Sequence, residues 1–271
     1  MLLLLDGSPT SYAALAAGVE IAGQTGAEVF GVFVEEINLL RSAGCSFSRE
    51  VGSVSGISRP FDTALIERRM QRVADRARQI LAKAVPEKGS GLLLSVARGR
   101  VGDEVLALAG PDDLLVLGRV GWSSEPGARL GSTARGLIRR SPGRVLLWCD
   151  RQAVAKGRVV VFLNDHDDAN KRAVTTAAEI SRRSGQPVTI LLRPRTELSQ
   201  ERLEKLEQDL GVSEAGIRVR VLPSTNPAVI AHTVRQEQAS YLVVSRECSL
   251  FKEPGANPLL VALNLPVMVT P

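Results

Sequence analysis

The sequence predicts an α/β protein made of two tandem domains, each a five-stranded parallel sheet flanked by helices. Three observations carry that expectation. Short apolar runs alternate with longer stretches of helical periodicity, as in a parallel sheet whose crossovers are helices. The order of elements in residues 1–150 recurs in residues 158–271, and Asp6 stands as far before Gly26 as Asp165 stands before Gly185. Between the copies, the charged and small-residue stretch "DRQAVAKG" reads as a linker, taken as 151–157.

The elements follow in order. "LLLLD" (2–6) is a short buried strand. A helix follows with Ser8 as N-cap, Pro9 at its first position and Gly26 as its stop. "EVFGVFVEE" (28–36) is a second strand, and the Ser- and Gly-rich run 37–60 reads as a long loop. In the next helix Leu65, Ile66, Met70, Val73, Ala77, Ile80, Leu81 and Ala84 share one face, and five arginines between Arg68 and Arg78 lie largely on the polar side. "GLLLSVA" (91–97), "DLLVLG" (113–118) and "RVLLWC" (144–149) are strands; "GDEVLALA" and "GSTARGLIRR" begin the helices between them. The second copy repeats this plan, with strands at 158–165, 187–193, 217–222, 241–247 and 265–271.

Composition excludes several classes. The chain has 271 residues, enough for two ordinary domains, and its 44% apolar and 23% charged content is that of a globular protein. Aromatics are only 4%, so aliphatic side chains must fill the core. No stretch approaches the ~20 apolar residues of a membrane span. The "MLLLL" start lacks the form of a signal peptide, which leads to the expectation of a cytoplasmic protein. Cys45, Cys149 and Cys248 have no metal-ligand spacing, and no metal site is expected. The net charge of +5 suits an anionic ligand, but without a dense basic run or interleaved aromatics it does not point to nucleic acid.

The chemistry concentrates in "GRVGWSSEPGARLGST" (118–133). Gly118 and Gly121 follow the fourth strand of the first copy, where ligands of open α/β sheets bind. Gly131, Ser132 and Thr133 open the next helix, whose free amides and positive dipole end suit a phosphate. Glycine lets backbone approach a turn, another chain segment or a ligand. The spacing together with the helix-start serine favours the last.

The motif G-x2-G-x9-G-S, with a strand before it and "TARGLIRRSPGRVLLW" after it, resembles the ATP-binding signature of the universal stress protein family. The opening "LLLLDGSPTSYAALAAGVEIAGQTGAEVFGVFV" is similar to that family's first strand, helix and second strand. The resemblance is good over 1–149 and weaker over 158–271, so the chain resembles a tandem member. It implies a Rossmann-like, adenine-nucleotide-hydrolase-like fold and binding of ATP, ADP or AMP, with Mg2+ as a companion ion. It places Asp6 beside ribose and adenine, the backbone near Val34 at the adenine edge, and Gly118, Gly121, Gly131, Ser132 and Thr133 at the phosphates. Position alone adds Arg119 and Arg129 as screens of phosphate charge.

Blander readings stand beside these. A strand-end aspartate before Gly-Ser is often only a turn and helix cap. "NDHDD" (164–168) reads as a cap and dipole complement, and His232 as structural. "GRVG" at 99–102 repeats the glycine spacing without the later Gly-Ser and reads as a turn. In the second copy Ser245 and Cys248 replace Gly118 and Gly121, and Glu253 and Pro254 fall where Gly131 and Ser132 stand. A carboxylate repels phosphate and proline has no amide to offer, so one nucleotide site per chain is expected. The second domain would pair with the first through a sheet-edge or strand-five contact, as an intramolecular pseudo-dimer, with a homodimer as a further arrangement.

No Walker A, kinase, nucleophile-elbow or H-E-x2-H motif is present. The reading is therefore a nucleotide-binding stress-response regulator or sensor with a protein partner. A slow ATP hydrolase or phosphotransferase, and an interaction scaffold that binds no nucleotide, are the alternatives.

Overall fold

A computed structural model of the chain describes residues 1–52, 54–84, 94–121, 130–149, 157–163, 167–194, 204, 208, 210, 216–248, 259, 260 and 263–271. Its first strand shows why four consecutive leucines suit this fold. Strand β1 (Leu2–Leu5) lies between β2 (Phe30–Glu36) and β6 (Leu114–Gly118), parallel to both, with all four side chains buried. Successive side chains of a strand point to opposite faces. Leu2 and Leu4 join one apolar layer with Val32, Val34, Leu115 and Leu117, and Leu3 and Leu5 join the other with Phe33 and Val116.

Helix α1 (Pro9–Thr25) starts where the sequence places it. The Ser8 hydroxyl accepts from the Ser11 amide at 3.1 Å, and Gly26 ends the helix in the left-handed region at φ 70°. The run 37–60 departs from expectation: it is not a structureless loop. Glu36 accepts from the Asn38 amide and starts α2 (Ile37–Ala43). Strands β3 (Arg49–Val51) and β4 (Ser58–Pro60) then pair antiparallel as a hairpin. Leu40 and Ala43 pack against Ile66 in a small satellite core, the apolar contact that ordered this segment.

In α3 (Thr63–Ala84), Ile66, Ala74, Ala77 and Leu81 are buried, and Arg68, Arg69, Arg72, Arg76 and Arg78 face solvent. Strand β5 (Leu94–Gly99), α4 (Val101–Leu108), α5 (Ser132–Arg140) and β7 (Arg144–Trp148) complete the first half, with "GRVG" at 99–102 forming the β5–α4 turn. The second half runs β8 (Arg158–Phe162), α6 (Asp167–Ser184), β9 (Val188–Leu192), β10 (Ile217–Val221), α7 (Pro227–Gln236), β11 (Ala239–Ser245) and β12 (Val267–Thr270). Most of the helix expected near 199–211, together with Asp165, Glu253, Pro254 and most of the linker, lies outside the described residues; positions 204, 208 and 210 are described and helical. Cys149 and Cys248 are buried, Cys45 is exposed, and His232 lies on the exposed side of α7.

The strand order is β10-β9-β8-β11-β12-β7-β6-β1-β2-β5, two five-stranded parallel sheets fused into one of ten strands. The fusion is the β7–β12 seam, where Leu147, Leu146 and Val145 oppose Val267, Met268 and Val269 antiparallel. One consequence is an inversion: the carboxyl ends of the second half's strands lie at the edge where the first half's strands begin. Helices α4, α5 and α7 cover one face and α1, α3 and α6 the other, so both apolar layers cross the seam.

At the far end of the second half, the Glu237 carboxylate is fully buried among Arg158 (3.7 Å), Arg218 (3.1 Å) and Arg220 (2.8 Å), and also accepts from the Thr189 hydroxyl at 2.8 Å. Arg158 is the most enclosed of the three arginines. Burial lowers its pKa, the Arg218 charge lowers it further, and Glu237 opposes both. Removing the carboxylate strands that charge. Glu237→Ala is expected to cost about 3–5 kcal/mol of unfolding free energy in a urea titration.

Candidate functional site

The cleft lies at the carboxyl ends of β1, β2 and β6, between the starts of α1, α2, α4 and α5. It has a volume of about 400 Å³, within the range of small-molecule sites. Asp6, Val34, Gly118, Arg119, Gly121, Gly131, Ser132 and Thr133 all line it. The structure thus brings together every site residue read from the sequence except Arg129, which lies outside the described residues.

The glycines have different local causes. A Cβ on Gly118 would sit 2.9 Å from the Thr10 hydroxyl and 3.1 Å from the Ser11 amide nitrogen, so this position lets α1 dock against the end of β6. At Gly121 a Cβ would meet Asp6 Oδ2 at 3.0 Å. At Gly131 no described atom lies within 4 Å of such a Cβ, and φ of −57° is open to any residue. Among the described residues, neither packing nor backbone conformation calls for glycine there. The position opens onto the cleft.

Gly131 is also the N-cap of α5, with no side-chain cap hydrogen bond among the described residues. The first helical bond runs from the Arg135 amide to the Gly131 carbonyl at 3.0 Å. The amides of Ser132, Thr133 and Ala134 therefore stand ahead of the helical ladder, at the positive end of the dipole. Ser132 is exposed and Thr133 half-buried, so both hydroxyls edge the same opening.

Asp6 is partly engaged, as the turn reading has it. Its Oδ1 accepts from the Ser8 amide at 2.9 Å and from the Ser8 hydroxyl at 2.6 Å, closing the β1–α1 turn. Gly7 in that turn has φ of 84°, and a Cβ there would strike Val73 at 2.6 Å. Oδ2 lies on the Gly121 side. Burial pushes the Tyr12 phenol above its usual range; Arg76, 5.8 Å from the ring centre, opposes the shift and Asp6 adds to it.

Val34 lies one residue past the β1–β2 ladder, which ends at Leu5 opposite Phe33, and on its other side faces Ala97 of β5. Among the lining residues that the sequence reading did not name, Glu36 and Leu39 matter most. Glu36 ends β2 and accepts from both the Asn38 amide at 3.1 Å and the Val101 amide at 3.3 Å, tying α2 and α4 to the cleft rim. Leu39 of α2 adds an apolar wall. The signal for Glu36 was its place at a strand's carboxyl end.

Arg119 has a place that the charge-screen reading did not anticipate. Its guanidinium Nη1 donates to the carbonyls of Leu260, at 2.6 Å, and Leu263, in the second half. Its own amide donates to the Trp148 carbonyl at 2.8 Å.

No protein-family model matches this sequence, and no curated protein matches it. Solved structures do. A universal stress protein from Archaeoglobus fulgidus DSM 4304 matches over 100% of this chain and 95% of its own, at 17% identity and a TM-score of 0.71. The fold is that of the universal stress proteins. A second such structure, from Pseudomonas aeruginosa UCBPP-PA14, covers 99% of this chain and 91% of that one at 14% identity, with a TM-score of 0.58. A functionally unknown protein from Pseudomonas aeruginosa PAO1 covers the same shares at 15% identity and 0.59. The likeness spans both halves, so the tandem arrangement is shared with the Archaeoglobus fulgidus structure. Among the described residues no helix is long and apolar enough to cross a membrane.

The split among the glycines is measurable in the protein alone. Gly118→Ala is expected to lower stability by about 1–3 kcal/mol through overpacking against α1. Gly131→Ala is expected to change it by less than about 1 kcal/mol in the same denaturant titration.

Proposed function

We propose that residues 1–150 form an adenine-nucleotide-binding domain, and that residues 158–271, joined through 151–157, form a degenerate copy that binds no nucleotide in the same way. The observation that carries this reading is Gly131: a glycine for which the described residues give no packing or conformational reason, at a helix start facing the cleft. Such a position admits phosphate oxygens close to backbone amides.

The donor set fits the group. Ser132 and Thr133 offer amides and hydroxyls to phosphate, and Gly118 and Gly121 line the loop beside them. Asp6 Oδ2 and Glu36 are acceptors suited to ribose hydroxyls. Leu39, Val101 and the end of β2 at Val34 offer an apolar slot for the base. Arg119 contributes positive charge near the loop while its Nη1 is held by the second half. Arg129 is a further candidate for phosphate contact.

The second half supports one site per chain. Ser245 and Cys248 are buried side chains where the first half has Gly118 and Gly121, and the Ser245 hydroxyl accepts from the Glu247 amide at 3.1 Å. The role is a nucleotide-responsive regulator of the universal stress protein type, acting in the cytoplasm through a partner protein. ATP, ADP and AMP share the phosphate and base chemistry of this cleft, and Mg2+ would accompany the longer phosphates.

Isothermal titration of the full chain with ATP and with AMP, with and without Mg2+, tests the reading. Wild type is expected to bind in the micromolar range or tighter, and the double variant Gly131→Val, Ser132→Ala to lose binding with its unfolding midpoint nearly unchanged. No binding by wild type up to millimolar nucleotide would overturn the proposal.

A further inference from the structure

Two arginines cross the seam in opposite directions. Arg119 follows β6 and Arg246 follows β11, the equivalent strand of the second copy. Arg119 reaches the Leu260 and Leu263 carbonyls of the second half. Arg246 reaches back into the first half, where its Nη1 donates to the carbonyls of Ser141 at 2.6 Å and Arg139 at 3.4 Å. Each backbone amide makes the matching bond to the last strand of its own half: Arg119 to Trp148 at 2.8 Å and Arg246 to Thr270 at 2.9 Å. The device is a reciprocal clasp. The antiparallel seam makes it possible, because it sets the carboxyl ends of one half's strands beside the helix C-termini of the other.

The two arms do different things. Ser141 is the C-cap of α5, and its amide donates to Leu137 at 2.8 Å. A guanidinium there satisfies orphan carbonyls and complements the negative end of the dipole. Helix α5 is only nine residues long, so its two ends move as one short rod. Its other end is the uncapped start at Gly131 that opens onto the cleft. Arg246 therefore holds, from outside the domain, the helix whose amides face the ligand.

We propose that Arg246 is a positioning residue for the cleft of the opposite half, and that the degenerate copy is retained in the binding unit through this contact. The proposal rests on the nucleotide reading above. It gives the second half a task without a ligand of its own: it fixes the angle and depth of α5. Because coupling is reciprocal, a nucleotide seated on α5 also tightens the clasp.

The experiment compares wild type, Arg246→Met, Arg246→Lys and Glu179→Gln in the full chain. Glu179 pairs with Arg144 across the seam at 2.5 Å and is the control for losing a charged contact between the halves that does not touch α5. Two readouts are taken: AMP affinity by titration calorimetry, and amide hydrogen exchange over residues 132–140 without ligand. Arg246→Met is expected to weaken AMP binding about tenfold and to speed exchange in α5. The lysine variant, with a single ammonium in place of the guanidinium fork, is expected to recover part of both. Glu179→Gln is expected to keep affinity within about twofold, as an exposed ion pair contributes little.

Wild-type affinity and α5 protection in a folded Arg246→Met protein would overturn the proposal, as would equal weakening by Glu179→Gln. If wild type binds no AMP, the nucleotide reading falls separately. Exchange in α5 needs no ligand and still decides whether Arg246 holds the helix, and unchanged protection there sinks the inference by itself.

Discussion

Leu147 against Val267, Leu146 against Met268 and Val145 against Val269 join two sheets into one, and the antiparallel sense of that pairing governs the rest of the molecule. Had β7 and β12 run parallel, both sets of strand ends would open on the same edge. Instead each half presents its loops beside the other's helix ends. The apolar layers run through the seam on both faces, so the halves share a core as well as a sheet edge. An exposed edge strand is a hazard in any sheet. Here the two edges that would be exposed at the ends of the duplicated units cover one another.

On the proposed reading, that arrangement connects duplication to loss: once two copies are locked through their fifth strands, only one needs to keep an open cleft. The second half keeps the strand order, the helix layers and the arginine after its fourth strand, while buried Ser245 and Cys248 replace the loop glycines. Glu237 and its surrounding arginines sit at the opposite end of this half from the seam, where the sheet ends at β10.

Much of this was legible in the chain. The short apolar run of Leu2 to Leu5, the Ser8-Pro9 start and Gly26 stop of α1, and the repeated element order led to the fold because each is a local signal that tertiary structure had no reason to override. The site loop was legible for the same reason, from its position after a strand. The run 37–60 was not, since α2 and its hairpin are short, and their order comes from Leu40, Ala43 and Ile66 meeting across sequence. Glu36 was missed because its value lies in two amides, one of them 65 residues away. Arg119's reach across the seam was not legible. Its partners are backbone carbonyls from the other half, which no local pattern reveals.

The three motif glycines also have different fates under drift. Gly118 answers to α1 and would be kept by folding alone, in a chain that had ceased to bind anything. Gly131 answers to nothing within the described protein and would be free to change once its ligand was gone. A scan that scores all three equally therefore mixes a record of architecture with a record of use. On the nucleotide reading, only the last glycine would date the loss of a ligand.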